Sequence, residues 1–229
     1  MTRENNKLRA DDAIRNVVSR TRDLHTHSYL TLLSIGQAVA LTFLFEEVFE
    51  RTEHSVFNPN LTFNSWLLIF ETFILIVLVW ADYFQIIAAF TWIPSLLDAI
   101  IPFGLFTTQV FLAKTVMHPE YWFFSLAAFF LFGVLAYVNT LSQIKRRAEN
   151  KKAIEILYKR FSFSAKFVAI NMFSSTAIAI LLLFNPYVLL TVIFSIVVLL
   201  VTAFFIYKTV IAWRKFKLFI ELHLDDDNE

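Results

Sequence analysis

The chain has 229 residues, of which 58% are hydrophobic and 27 are Phe, and its mean hydropathy is +0.62. Soluble domains contain about 45–50% apolar residues, so this composition excludes a soluble globular fold. The formal net charge of +1 gives no reason to expect a nucleic-acid partner, and the absence of Cys excludes disulfides, thiol catalysis and thiolate metal sites.

Six apolar runs follow one another along the chain, each long enough to cross a bilayer. A span needs about 20 apolar residues to cross a hydrocarbon core about 30 Å thick. We therefore predict an all-α polytopic membrane protein, a bundle of about six transmembrane helices. In chain order the predicted spans are Tyr29–Phe49, Trp66–Phe90, Ile93–Thr115, Tyr121–Gln143, Phe163–Phe184 and Tyr187–Trp213.

Basic residues are concentrated in the polar segments between and around the spans. Of the twenty Lys and Arg residues, all but Arg51, Lys114 and Lys166 lie before residue 28, between residues 142 and 161, or after residue 207. Because Lys and Arg next to membrane spans stay in the cytoplasm, we predict cytoplasmic N- and C-termini in the plasma membrane, with the bacterial inner membrane favoured. The predicted segments are 1–27, a cytoplasmic amphipathic N-terminal segment; 28–143, helices one to four; 144–160, a basic cytoplasmic loop or helix; 161–213, helices five and six; and 214–229, a cytoplasmic acidic tail.

A second amphipathic pattern precedes the fifth span. Ile154, Leu157, Tyr158 and Phe161 recur at helical spacing and lead directly into that span. The pattern predicts a helix that lies on the membrane surface or packs on the bundle, and it also fits an oligomer contact or a gate.

Ionisable residues within the spans are candidates for function, because a charged side chain is costly in hydrocarbon. At a rise of about 1.5 Å per residue, Asp82, Asp98 and Lys166 lie at a similar depth near the inner side of the bilayer. We predict that they form a cluster in which Lys166 neutralises the carboxylates. Such a cluster either fixes helix packing or belongs to a conduction or proton-coupling path.

Near the outer side, Glu71 and Lys114 lie at the level of two further carboxyl groups of span one. These groups, Glu46 and Glu47, allow a second cluster. Glu71 and Asp82 are eleven residues apart, about three helical turns, so they share one face of span two. We predict that this face looks into the bundle, a subunit interface or a water-filled path rather than into lipid.

Neutral polar residues add one candidate to the functional residues within the spans. Asn171 lies in span five beside Ser and Thr residues, and such groups hydrogen-bond between helices. Pro102 and Gly104 interrupt span three, which predicts a kink or a break that lines a cavity. The candidate transport or intramembrane charge network is Glu71, Asp82, Asp98, Lys114, Lys166 and Asn171.

The basic segment after span four is predicted to face an inner leaflet that is anionic. We expect it to contact lipid headgroups or an acidic soluble protein. The candidate contact residues are Lys145, Arg146, Arg147, Lys151 and Lys152.

The sequence contains no hydrolase, nucleotide-loop or metal-site signature, so we predict a protein that is not an enzyme and uses no metal or other cofactor. Two functional classes stay open. The first is a small oligomeric ion channel or transporter that uses intramembrane carboxylates. The second is a non-transporting scaffold or sensor that recruits a soluble cytoplasmic partner, for example in envelope stress or phage defence. Expected partners are the lipid bilayer, further copies of the chain and, in the second class, that soluble protein.

Overall fold

A computed structural model of the chain describes residues 30–50, 63–89, 96–145, 151–185 and 188–226. These residues are almost entirely α-helical, and no strand occurs among them. The helices are α1 (Leu30–Glu50), α2 (Phe63–Ala89), α3 (Leu96–Thr115), α4 (Pro119–Lys145), α5 (Lys151–Phe184) and α6 (Val188–Asp226). The predicted all-α fold of six helices is confirmed, while the predicted amphipathic segment 1–27 lies outside the described residues.

The outer surface of the bundle is apolar, as lipid requires. Five helices have the length and hydropathy of membrane spans, whereas the apolar part of α3 is the shorter stretch Ile100–Thr115. Large apolar side chains are exposed along these helices, including Phe184 (85% exposed), Leu189 (72%) and Phe173 (68%). Soluble monomers rarely expose extended apolar surface, so the chain is a membrane protein.

Successive helices run in opposite directions where their contacts can be followed. At the interface of α3 with α4, Gly104 lies against Phe132, and further along α3 the hydroxyl of Thr115 lies 3.4 Å from that of Ser125. The residue numbers rise on α3 while they fall on α4, which defines an antiparallel pair. The short connection at 116–118 is typical of antiparallel neighbours.

In contrast, α2 and α6 run in the same direction. The Ser195 hydroxyl lies 3.1 Å from Oδ1 of Asn64, and the Leu199 backbone lies beside the carboxyl of Glu71. Residue numbers rise together on the two helices, so the helices are parallel. An even number of chain reversals must separate them, as in a bundle whose six helices alternate in direction.

Aromatic side chains fill the centre of the bundle. Trp122 and Phe123 of α4 and Phe161 of α5 are fully buried. The rings of Phe167 on α5 and Phe205 on α6 stack with their centroids 5.3 Å apart. Lipid removes the hydrophobic driving force between helices, so van der Waals packing of such side chains holds the bundle together.

The last two helices are longer than the apolar runs within them. At about 1.5 Å per residue, the 34 residues of α5 and 39 of α6 extend roughly 51 Å and 58 Å, against a hydrocarbon core of about 30 Å. The predicted span segment 161–213 therefore covers only part of the two helices, whose apolar stretches are Leu157–Phe184 and Leu189–Leu218. The amphipathic pattern before span five is the first part of α5, which leaves only 146–150 between α4 and α5. Hydropathy locates the part of a helix that lies in lipid, whereas good helix formers such as Lys, Glu and Leu continue the helix beyond it.

Candidate functional site: the buried carboxyl groups of α2

Glu71 is a buried carboxyl group without a hydrogen-bond partner among the described residues. It is 1% exposed, and neither Oε1 nor Oε2 accepts a hydrogen bond from them. It lies eight residues into α2, about 12 Å along the helix from Phe63 and hence within the bilayer. An unsatisfied buried polar group costs roughly 1–3 kcal/mol, and an unpaired buried charge costs more. Packing alone does not explain a carboxyl at this position.

The neighbours of Glu71 on α2 are rigidly packed. The Thr72 hydroxyl donates to the Leu68 carbonyl at 2.8 Å and accepts a hydrogen bond from Nε1 of Trp122, also at 2.8 Å. Because Trp122 belongs to α4, this contact ties α2 to α4 one residue away from Glu71. Leu68 and Leu75, about one turn to either side of Glu71, are buried as well. The carboxyl group is therefore fixed on a packed helix between apolar neighbours.

A row of hydroxyl side chains on α6 accompanies this face of α2. The Ser195 hydroxyl donates to the Thr191 carbonyl at 2.9 Å and lies 3.1 Å from Asn64 of α2. The Leu199 backbone lies beside Glu71 but does not reach hydrogen-bond geometry with it. The contact made by Asn64, Glu71, Ser195 and Leu199 is called the α2–α6 seam below. Two more hydroxyl side chains are buried on α6, seven and fourteen residues after Ser195. They belong to Thr202 and Thr209.

Asp82, the second buried carboxyl group of α2, is fully satisfied. Its Oδ1 accepts a hydrogen bond from Nη2 of Arg160 at 2.5 Å, and its Oδ2 accepts one from the Tyr137 hydroxyl. Arg160 belongs to α5 and Tyr137 to α4, so this carboxylate joins three helices. All three residues are buried, and the Arg160 guanidinium lies 5.1 Å from the ring centre of Phe161. Charge-assisted hydrogen bonds of this kind fix geometry as well as adding energy.

The cation beside Asp82 is Arg160 and not the predicted Lys166. Lys166 is exposed, and within the described part of the chain no ion pair joins it to Asp82. The two basic residues are six positions apart on α5, about 240° around the helix axis, so they belong to different faces. The side chain of Asp98 lies outside the described residues, so its predicted membership of the inner cluster stays a prediction.

An apolar cavity of about 70 Å³ lies beside α2, where its lining runs from Leu75 past Asp82 to Ile86. Leu75, Leu78 and Asp82 line it on the α2 side, and Thr202 lines it on the α6 side. Leu75 is about one helical turn from Glu71, so the cavity covers most of the distance between the carboxyl groups. Nearly all of its lining side chains are apolar, so it offers few groups that could hold water.

The outer charge cluster forms without Glu71. Nζ of Lys114 lies 2.8 Å from Oε2 of Glu46 and 3.2 Å from Oε1 of Glu47, which joins α3 to α1. The same ammonium group lies 4.8 Å from the ring centre of Phe43. The side chains of Lys114 and Glu46 are 37% and 45% exposed, and solvent-exposed ion pairs contribute at most about 1 kcal/mol. The cluster is therefore a modest tie between helix ends.

Of the remaining predicted residues, the structure describes the side chains of Asn171 and Lys145, and neither bonds to Glu71 or Asp82. Asn171 donates to the Phe167 carbonyl of its own helix at 2.8 Å. Lys145 is exposed, with its ammonium group 4.8 Å from the ring centre of Tyr158. The other four predicted contact residues lie outside the residues and side chains that the structure describes: Arg146, Arg147, Lys151 and Lys152.

Sequence reasoning missed the two residues that satisfy Asp82. Arg160 falls in the predicted basic segment, and Tyr137 carries no charge in span four, so neither counts as an intramembrane ion. The available signal is helical periodicity: Leu157, Arg160 and Ser164 are all buried and follow the i, i+3, i+7 spacing of one helix face. Continuing the amphipathic helix into span five would have placed Arg160 beside the bundle.

Comparison of the chain with protein-family models, with curated proteins and with solved structures finds no match. Function is therefore inferred from the carboxyl groups and their surroundings.

Proposed function

We propose that this chain is a small ion channel or transporter in which Glu71 binds the transported ion inside the membrane. The observation that carries the proposal is the state of that carboxyl group: 1% exposed, within a spanning helix, and without a hydrogen-bond donor among the described residues. Intramembrane carboxyl groups typically mark ion pathways and proton relays. The α2–α6 seam, with its buried amide and hydroxyl groups, is the path that leads to Glu71 in this proposal.

Asp82 has a different role in this scheme, that of a structural anchor. Its carboxylate already holds a guanidinium and a phenol, so its charge is paired and each of its oxygens accepts a hydrogen bond. Removing one partner from a buried pair leaves an uncompensated charge, which costs about 3–5 kcal/mol. The pair therefore keeps α2, α4 and α5 together while the seam moves.

The apolar cavity, which begins about one turn from Glu71, acts as the barrier on the Asp82 side of that carboxyl group. Hydrophobic constrictions close membrane pathways because water does not fill them. Leu75 and Leu78 of α2 contribute apolar side chains to this region, opposite Val201 and Thr202 of α6. A change in the spacing of α2 and α6 that admits water would open the path.

The proposal includes the topology and assembly that the sequence predicts. The basic segments favour cytoplasmic N- and C-termini in a plasma membrane, with the bacterial inner membrane favoured. We expect a homo-oligomer, because exposed apolar helix faces can pack against further copies of the chain as well as against lipid. Transport of this kind converts no substrate into another compound, so the protein is not proposed to be an enzyme.

Flux measurements on liposomes test the role of Glu71. Wild-type protein should carry ions at a rate above protein-free liposomes. Glu71→Gln keeps the side-chain volume and removes the ionisable group, so it should lower the flux by about tenfold or more, the equivalent of roughly 1.4 kcal/mol in the barrier. Na⁺, K⁺ and H⁺ fluxes are each followed with an ion-selective dye.

Glu120→Gln provides the matched control for this experiment. Glu120 lies in the first turn of α4, with its side chain 27% exposed and one oxygen 4.0 Å from Nδ1 of His118. This variant makes the same chemical change at a half-buried residue that is not part of the seam, so its flux should equal that of the wild type. Equal flux from the wild type and from Glu71→Gln, with both proteins monodisperse, contradicts the proposal.

The second candidate function is the scaffold or sensor, and the extensions of α5 and α6 favour it. Both helices continue roughly 20 Å or more beyond a hydrocarbon core of about 30 Å. The exposed residues of α6 in this extension include Arg214, Lys215 and Lys217. Such a basic helical surface suits an acidic protein or anionic headgroups, each basic residue contributing about 1 kcal/mol near an anionic leaflet.

Neutralising the predicted contact residues separates this function from transport. Changing Lys145, Arg146, Arg147, Lys151 and Lys152 to Gln should reduce co-purification of an acidic soluble protein with the full chain in nanodiscs. Liposome flux should stay unchanged. If binding to soluble protein and to anionic lipid both persist, the basic segment has no docking role and determines topology alone.

A further inference from the structure

We propose that the ion bound by Glu71 is a proton, and that Glu71 alternates between its acid and carboxylate forms as protons enter and leave the α2–α6 seam. This inference rests on the proposed transport function and names its substrate. On binding, one proton forms an O–H bond with a carboxylate oxygen, and the same bond breaks on release. The carboxyl group is thus unchanged after each cycle, and no other reactant is consumed.

The first ground is the number of groups around the carboxyl. A metal cation is held by several oxygen ligands at once, six or more for a hard divalent ion. On α2, Leu68 and Leu75, one turn to either side of Glu71, are buried apolar side chains, and the hydroxyl of the adjacent Thr72 is engaged with Leu68 and Trp122. Among the described residues, no group of three His, Asp or Glu side chains could hold a metal ion. A proton needs only the one carboxylate oxygen.

The second ground is the free-energy cost of burying Glu71 as an unpaired carboxylate. A carboxylate buried without a cation or donor is far more costly than a neutral carboxylic acid in the same position. Adding one proton removes the net charge without requiring space or further ligands. The site therefore fits a proton within a packed helix interface, where no room for a hydrated cation is needed.

The third ground is that ionisable groups on the surrounding helices are engaged or directed elsewhere. Glu46 and Glu47 of α1 pair with Lys114 of α3, and Asp82 pairs with Arg160 of α5 and Tyr137 of α4. Three other ionisable side chains are exposed and are therefore not buried at the seam: Lys166 of α5, and Tyr207 and Lys208 of α6. Within the described residues, Glu71 thus has no fixed counter-ion, and a mobile one has to come from outside.

Polar side chains of the α2–α6 seam lie on the Asn64 side of Glu71. Glu71 lies seven residues, about 10 Å, along α2 from Asn64, whose amide contacts Ser195. On the opposite side, the first groups along α2 are apolar and line the cavity. Proton exchange is therefore expected through the Asn64–Ser195 end, with the cavity as the barrier to the other side.

Infrared spectroscopy of the full-length protein in detergent tests the proton site without relying on flux. The wild-type minus Glu71→Gln difference spectrum should contain the C=O stretching band of a carboxylic acid. This band should shift in D₂O, disappear as the pH is raised, and stay unchanged when Na⁺ or K⁺ replaces choline at constant pH. Glu71→Asp, which keeps the ionisable group, should shift the band rather than abolish it, and it serves if the Gln variant does not fold.

Two results would overturn the inference. One is a difference spectrum with carboxylate bands alone across the full pH range, which would show that Glu71 takes up no proton. The other is loss of the acid band on adding Na⁺ or K⁺ at fixed pH, which would identify a metal cation as the occupant. If the acid band behaves as predicted but liposomes show no flux, the proton site stands and the transport function fails.

Discussion

At the scale of single residues, the two carboxyl groups of α2 show what sequence can and cannot provide. Their spacing of eleven residues correctly places Glu71 and Asp82 on buried faces of one helix, 1% and 7% exposed. Their partners could not be predicted, because the choice between Arg160 and Lys166 depends on how far α5 extends and how it is rotated. A depth estimate cannot separate two basic residues that lie on different sides of the same helix.

The Asp82–Arg160 pair makes a prediction about stability. Arg160→Met removes the cation and leaves a buried carboxylate, so the free energy of unfolding in detergent should fall by about 3–5 kcal/mol. The double variant Asp82→Asn, Arg160→Met should recover most of that loss, because a neutral replacement for a buried ion pair is often nearly neutral in energy.

Lys166→Met is the control for this pair. Lys166 lies on an exposed face of α5, so its replacement should change stability by less than about 0.5 kcal/mol. Thermal unfolding followed by circular dichroism in one detergent measures all three variants. A larger loss for Lys166→Met than for Arg160→Met would contradict the assignment of Arg160 as the counter-ion of Asp82.

At the scale of helices, the interruption predicted in span three is a packing site. α3 stays helical through Pro102, and Gly104 does not have a positive φ. Gly is required instead because a Cβ at residue 104 would lie 2.0 Å from Cε1 of Phe132 on α4. Sequence alone shows the Pro and the Gly but not the ring that occupies the space, because that ring comes from the next helix.

Gly104→Ala should therefore destabilise the α3–α4 interface. Overpacking of this kind costs typically about 1–3 kcal/mol, and Phe132→Ala should relieve most of it in the double variant. Gly133→Ala is the comparison, because its Cβ would meet a single methyl group of Val168 at 3.0 Å and should cost less. Melting temperatures that rank the two Gly variants in the opposite order would contradict this account of the interface.

The apolar cavity beside α2 supports a second prediction at this scale. Leu75→Ser and Leu75→Ala remove nearly the same volume, but only Ser adds a hydroxyl group that can hold water in the cavity. If the cavity is the barrier to ion movement, Ser should raise liposome flux severalfold while Ala leaves it near the wild-type value. Equal flux from the two variants would mean that the cavity does not control the path.

At the scale of the whole molecule, the apolar runs predict the helices well because each span needs about 20 apolar residues. The ends of α5 and α6 are predicted less well, since outside lipid the hydropathy signal vanishes while the backbone hydrogen bonds continue. The seam of α2 with α6 joins residues more than 120 positions apart, such as Asn64 and Ser195, and no local pattern encodes it. Buried hydroxyl residues seven positions apart on α6 are the nearest sequence signal of that contact.

The absence of Cys makes the predicted topology directly measurable. Single substitutions Asn5→Cys, Asn58→Cys and Asp227→Cys each introduce a unique thiol. With a membrane-impermeant maleimide, Asn58→Cys should react in intact cells, whereas the two terminal positions should react only in inside-out vesicles. Labelling of either terminal position in intact cells would contradict cytoplasmic termini.

Proton movement through Glu71 is tested most directly by internal pH in proteoliposomes under an imposed membrane potential. A K⁺ diffusion potential, negative inside, should drive rapid acidification with the wild type and with Glu120→Gln, while Glu71→Gln should behave like protein-free liposomes. Acidification by Glu71→Gln at the wild-type rate, with equal amounts of folded protein in the membrane, would contradict the central role of Glu71.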